Sequence, residues 1–131
     1  MDTVRKITHE LAIAGQPTLN ELKQLVQEGY QTVVNLRSPS ELGFLSDEQP
    51  EAECLGLCYV NIPVRLDGLN LEHVLQVIQQ LIELPKPMLV HCNSGIRSSI
   101  VVLIQIAIKQ GMKAEDAFQK AAALGLLNNR F

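Results

Sequence analysis

Pro87-Met-Leu-Val-His91 is a short apolar run that leads directly into Cys92-Asn-Ser-Gly-Ile-Arg97 and then into a long apolar stretch closed by Gly111. The first run has the length and bounds of a buried strand, and Gly95 supplies the turn after it. From about Ile96 to Gln110, apolar residues fall on nearly every helical face, which predicts a central buried helix. Its β-branched content would also suit a strand, but its length and the glycine at each end favour a helix. Strand, tight turn and helix in that order form the basic unit of an α/β protein.

The same alternation continues on both sides of this unit. Thr32 to Leu36 and Cys58 to Ile62 read as short strands, and Glu10 to Ala14 as a weaker first one. Between them, Thr18 and Glu21 have the spacing of a capping box, and Leu19, Leu22 and Val26 form an apolar stripe ending at Gly29. Asn70 opens a second helix whose Leu71, Val74, Leu75, Ile78, Leu81 and Ile82 keep a 3.6-residue period until Pro85. A last amphipathic helix is expected from Ala114 to Leu124, stopping at Gly125. The least regular stretch, Arg37 to Pro50, reads as a long loop into a short helix at Glu51 to Leu55. The pattern predicts a single α/β domain over residues 1–131, with a mainly parallel four- or five-stranded central sheet flanked by helices on both faces.

Composition narrows the function classes. The 131 residues are 47% hydrophobic and 19% charged, which is ordinary for a globular chain. A net charge of -3 argues against a nucleic-acid or anionic-membrane partner, whose footprint is basic. The amino terminus lacks signal-peptide design, and the most apolar run, Ile100 to Ile108, is far short of the roughly twenty residues needed to cross a bilayer. Three cysteines do not make a disulfide framework. A reduced, cytoplasmic protein is therefore expected.

The chemistry concentrates in the turn after the central strand. Backbone amides in such a loop point inward, and the following helix adds positive potential at its amino terminus, so Asn93, Ser94, Gly95, Ile96 and Arg97 would form an anion cradle. Cys92 is expected at its rim, with its thiol acidified into a nucleophile. Arg97 can hold two oxygens of a tetrahedral anion with its planar fork, and Ser98 can donate a hydrogen bond to the thiolate. Taken singly, each of these residues would fit a plain role, a buried structural cysteine or a solvated arginine.

Together, His91-Cys-x-x-Gly-x-Arg97-Ser98 resembles the signature of the cysteine-dependent phosphatases, the protein tyrosine and dual-specificity superfamily. More narrowly, the chain resembles the phosphatase-like domain of bacterial beta-lactamase hydrolase-like proteins. That likeness runs through Gly15-Gln-Pro17, Val34-Asn-Leu-Arg37 and Ile62-Pro-Val64 to the loop. It implies a dual-specificity-phosphatase-like fold, a phosphocysteine intermediate, no metal or other cofactor, and a phosphorylated small molecule or phosphoprotein as substrate. One feature departs from the superfamily: four residues separate Cys92 from Arg97, whereas five is usual. The shorter spacing is shared with rhodanese-like sulfurtransferases, whose cysteine carries a persulfide. A sulfurtransferase, or a non-catalytic anion-binding module that keeps the loop, therefore stays open as an alternative.

The superfamily takes its general acid from a loop about two dozen residues before the cysteine, and Asp67 lies 25 residues before Cys92. Asp67-Gly68 is equally a turn signal, but sulfur transfer needs no acid there, so Asp67 leans the reading towards phosphatase. His91 is expected to orient the loop, since its side chain leaves the strand opposite that of Cys92. Arg37 and Arg65 are candidates for the mouth of the site, favouring an acidic substrate, although Arg65 fits a plain solvated surface charge better. Cys54 and Cys58 have no second pair with which to bind zinc; either could be a resolving thiol for an oxidised Cys92.

Overall fold

The computed structural model describes residues 4–123. Four parallel strands carry the architecture: β2 (Leu11–Ala14), β3 (Thr32–Asn35), β4 (Cys58–Asn61) and β5 (Met88–His91). A two-residue β1 (Arg5–Lys6) adds an antiparallel edge, giving the order β1-β2-β5-β3-β4. β1 is the element sequence reading missed, because two exposed residues carry no alternation to detect. The other strands stand within a residue of their expected bounds.

Register explains both cores. Ile13, Val90, Val34 and Val60 lie side by side across the sheet and face α3 (Leu71–Ile82), α4 (Ile96–Lys109) and α5 (Ala114–Ala123). The next rank back, Ala12, Leu89, Val33 and Tyr59, faces α1 (Leu19–Gln27) and α2 (Glu48–Cys54). Helices thus cover both faces, as the near-continuous apolar character of the strands requires.

The helix starts follow local chemistry. Thr18 and Glu21 form the capping box at α1, and the Asn70 side chain accepts from the His73 amide at α3. The stretch opening at Gly95 is a helix despite its β-branched residues; it buries Ile100, Val101, Val102 and Ile104. Its burial is not complete all round, since Leu103 is 43% exposed. α2 begins at Glu48, one turn before its expected start, because Pro50 is tolerated in a first helical turn. The expected helix end at Leu124 and Gly125 lies outside the described residues.

Because β2 to β5 are parallel, their carboxyl ends share one edge of the sheet. The loops from β2 to α1, β3 to α2, β4 to α3 and β5 to α4 all leave from that edge, where open α/β sheets place their binding sites. Among the described residues, no helix is long and apolar enough to cross a membrane.

Candidate active site

The loop after β5 is pinned to the end of β2. Cys92 N donates to Ala14 O (3.2 Å) and Gln16 N to Asn93 O (3.2 Å), so the β2–β5 ladder continues past the strands into the loop. Gly95 then adopts φ +93°, a left-handed conformation natural to glycine, and becomes the N-cap of α4. This turn aims the Gly95 amide inward, 3.0 Å from Cys92 Sγ.

Cys92 is on the floor of the cradle rather than at its rim. It is 0% exposed and packs into the core shared with α3 and α4. The reason is strand alternation: His91 points towards α2, so the next side chain turns under α4. Ser98 Oγ lies 3.8 Å from Cys92 Sγ and also has the carbonyls of Ala14 (3.2 Å) and Gly95 (3.0 Å) in reach.

Arg97 is held by several oxygens. Its Nη1 donates to Glu41 Oε1 (2.9 Å) and to the Val64 carbonyl (3.1 Å), and its Nη2 to Glu41 Oε2 (3.1 Å) and Asn93 Oδ1 (2.9 Å). The four Nη protons are thereby taken, so an arriving anion uses Nε–H and competes with Asn93 for Nη2. The bidentate pair with Arg97, reinforced by Arg37 and the Ser38 amide, lowers the Glu41 carboxyl to about 2. Reciprocally, Glu41 raises Arg97, with Cys92 adding to the effect.

A cleft of about 370 Å³ opens above the loop, lined by Arg65, Leu66, Asp67, Asn93, Ser94, Ile96 and Arg97. The expected acid and the expected anion cradle therefore meet in one cleft. Asp67 stands on its wall with its side chain 70% exposed and pairs with Arg65 at 3.0 Å. Such an exposed pair is weak.

Arg37 is elsewhere. It is 4% exposed and does not reach the cleft: its Nε donates to Glu41 (2.8 Å), its Nη1 to Gln16 Oε1 (2.8 Å) and its Nη2 to the Leu42 carbonyl (2.8 Å). The carboxamide of Asn35, two residues earlier at the end of β3, accepts from the Arg37 amide. Arg65 alone of the two arginines borders the opening.

His91 is fully buried. Its Nδ1 lies 3.1 Å from the Cys92 carbonyl oxygen, and its Nε2 lies 2.5 Å from Glu48 Oε2. Glu48 is itself buried and accepts from Gln16 Nε2 through its other oxygen (2.6 Å). Glu41 and Glu48 were not singled out by sequence reading. The only signal available for Glu48 was an acidic first turn before Pro50.

Neither remaining cysteine sits beside Cys92. Cys58 is in register with Thr32 and, across β3, with Met88, about 13 Å along the strand from Cys92. Cys54 closes α2, about 9 Å along that helix from Glu48. A resolving role for either is not supported by this placement. Among the described residues, no three His, Cys, Asp or Glu side chains gather as a metal site would need.

The family model for the phosphatase-like domain of beta-lactamase hydrolase-like proteins matches residues 3–111. A beta-lactamase hydrolase-like protein of Xylella fastidiosa is 32% identical over 115 residues, covering 84% of this chain and 26% of that protein. The chain thus spans about a quarter of the length of the curated relatives it matches. Among solved structures, a candidate phosphatase of Shewanella putrefaciens superposes with a TM-score of 0.76 at 24% identity, covering 95% of this chain and 86% of that one. TpbA of P. aeruginosa, in complex with phosphotyrosine, superposes with a TM-score of 0.70 at 19% identity, covering 89% and 70%. These two share the fold. By the family match, the chain belongs to the phosphatase-like domain family of beta-lactamase hydrolase-like proteins.

Proposed function

We propose that this member of the phosphatase-like domain family is a phosphoric ester hydrolase that works through a phosphocysteine on Cys92. The observation that carries the reading is Cys92 Sγ held 3.0 Å from the Gly95 amide, on the floor of a loop that ends in Arg97. In the first step the Sγ thiolate attacks phosphorus, forming the S–P bond as the P–O bond to the leaving group breaks. Arg97 and the amides of Asn93 to Arg97 hold the equatorial oxygens, and Asp67 gives its proton to the departing oxygen. In the second step Asp67 takes a proton from water, whose oxygen attacks phosphorus. The S–P bond breaks and inorganic phosphate leaves, with Ser98 donating to the departing thiolate.

The cleft above the loop is open and has one exposed arginine at its wall, which suits a phosphorylated small molecule or a phosphorylated side chain of a protein. We assign the activity to the cytoplasm, where a thiol nucleophile stays reduced. The four-residue spacing supplies one amide fewer than the superfamily's loop, so turnover should be slow. That spacing is also the one observation that favours sulfur transfer, and one preparation tests both. The expected result is chelator-insensitive, vanadate-inhibited hydrolysis of p-nitrophenyl phosphate, lost in Cys92→Ser while phosphate and vanadate still bind, with negligible thiosulfate-to-cyanide transfer. Thiocyanate production without phosphatase activity would establish the sulfurtransferase instead; absence of both would leave an anion-binding module.

A further inference from the structure

Side chains outside the anion loop join its two ends in one continuous chain of hydrogen bonds. At the beginning, His91 links the Cys92 carbonyl to Glu48. Each ring nitrogen thus faces an oxygen, one of a carbonyl and one of a carboxylate, so the imidazole bridges the loop backbone and α2. At the end, Glu41 grips both Nη atoms of Arg97. Between these anchors stands Gln16. Its Nε2 donates to Glu48 Oε1 (2.6 Å), its Oε1 accepts from Arg37 Nη1 (2.8 Å), and Arg37 Nε donates to Glu41 Oε2 (2.8 Å).

Few side chains fit position 16. It must donate to a carboxylate and accept from a guanidinium at the same time, which a carboxamide does. A glutamate would set two like charges together at Glu48, and a lysine would do so at Arg37. The Gln16 backbone is itself tied to the loop through Asn93 O (3.2 Å).

We propose that Gln16 is a positioning residue that couples the two anchors of the anion loop, so that the Cys92 end and the Arg97 guanidinium are set together. Its catalytic meaning rests on the phosphatase reading above; its mechanical meaning does not. The partners facing side chain 16 are Glu48 from α2 and Arg37 from the β3–α2 loop, backed by His91 from β5 and by Glu41.

The test compares wild type, Gln16→Met and Gln16→Glu by amide hydrogen exchange and by p-nitrophenyl phosphate kinetics. Methionine has similar length and neither donor nor acceptor. In that variant the amides of Asn93 to Arg97 should exchange at least about tenfold faster, while those of Val34 and Val90 keep their wild-type rates. Turnover should fall at least about tenfold, the order expected when reacting groups are misplaced by a fraction of an ångström. Gln16→Glu should be impaired at pH 8, where carboxylates 16 and 48 repel. It should recover severalfold relative to wild type at pH 5, where they share a proton and the chain re-forms. Unchanged loop exchange in the folded methionine variant overturns the proposal. If that variant does not fold, a flat ratio of Gln16→Glu to wild-type turnover between pH 8 and pH 5 overturns it. A wild type without turnover would refute the phosphatase reading, and loop exchange would still decide the role of Gln16.

Discussion

Gly15 packs against the backbone of the loop after β5, and adding one methyl group there is a sensitive probe of that contact. A Cβ built at Gly15 would lie 2.7 Å from the Asn93 carbonyl oxygen and 3.4 and 3.5 Å from the carbonyl carbons of Asn93 and Ser94. All three are backbone atoms, so no side chain can swing aside. Gly15 is not in the left-handed region, so alanine would suffer no conformational strain, and the effect isolates the collision. Ordinary contact begins near 3.4 Å, which requires a shift of about 0.7 Å in the loop or in β2. Overpacking of this kind costs roughly 1–3 kcal/mol, a fall of about 4–12 °C in Tm for a chain of this size. The collision also pushes on the Gln16 N to Asn93 O bond that pins the loop. We therefore expect Gly15→Ala to lose about tenfold or more in kcat/KM for p-nitrophenyl phosphate and to bind vanadate correspondingly less well. Calorimetric melting and vanadate titration on the same preparation measure both effects. A variant with wild-type Tm and wild-type vanadate affinity would refute the close approach, and with it the pinning of the loop by β2.

Asp67→Asn should slow hydrolysis of alkyl phosphates by about 10² or more and of p-nitrophenyl phosphate by less, because a good leaving group needs little protonation; wild-type rates with both substrates would reduce Asp67 to a turn residue. Gly95→Ala forces a side chain into φ +93° and should cost roughly 1–2 kcal/mol, read as a lower denaturation midpoint in urea, together with weaker phosphate binding. Glu41 is lowered from 4.5 to about 2, so its pairing stabilises the fold fully above the unfolded carboxyl range and that stability is lost as pH falls through about 2. Wild type should accordingly lose stability between about pH 4.5 and pH 2 more steeply than Glu41→Gln, and parallel stability profiles over that window would contradict the pairing.

What was legible in the sequence was local. Thr18 finds Glu21 and Asn70 finds the His73 amide within one helical turn, and the alternating apolar ranks of β3 and β5 encode a sheet buried on both faces. The strand–turn–helix around Cys92 was readable for the same reason: Gly95 and the apolar run after it act over neighbouring residues. Which charged side chain meets which was decided elsewhere. Arg37, Arg65, Glu41 and Glu48 look alike in a one-dimensional reading, as polar residues in and around irregular segments. Yet Arg37 is buried beneath the loop and Arg65 is left at its opening, while Glu41 reaches 56 residues along the chain to Arg97 and Glu48 reaches 43 to His91. Those pairings exist only once the parallel crossovers bring the ends of β2, β3, β4 and β5 to one edge, because a carboxylate's range is a few ångströms and its sequence neighbours do not determine what stands within it.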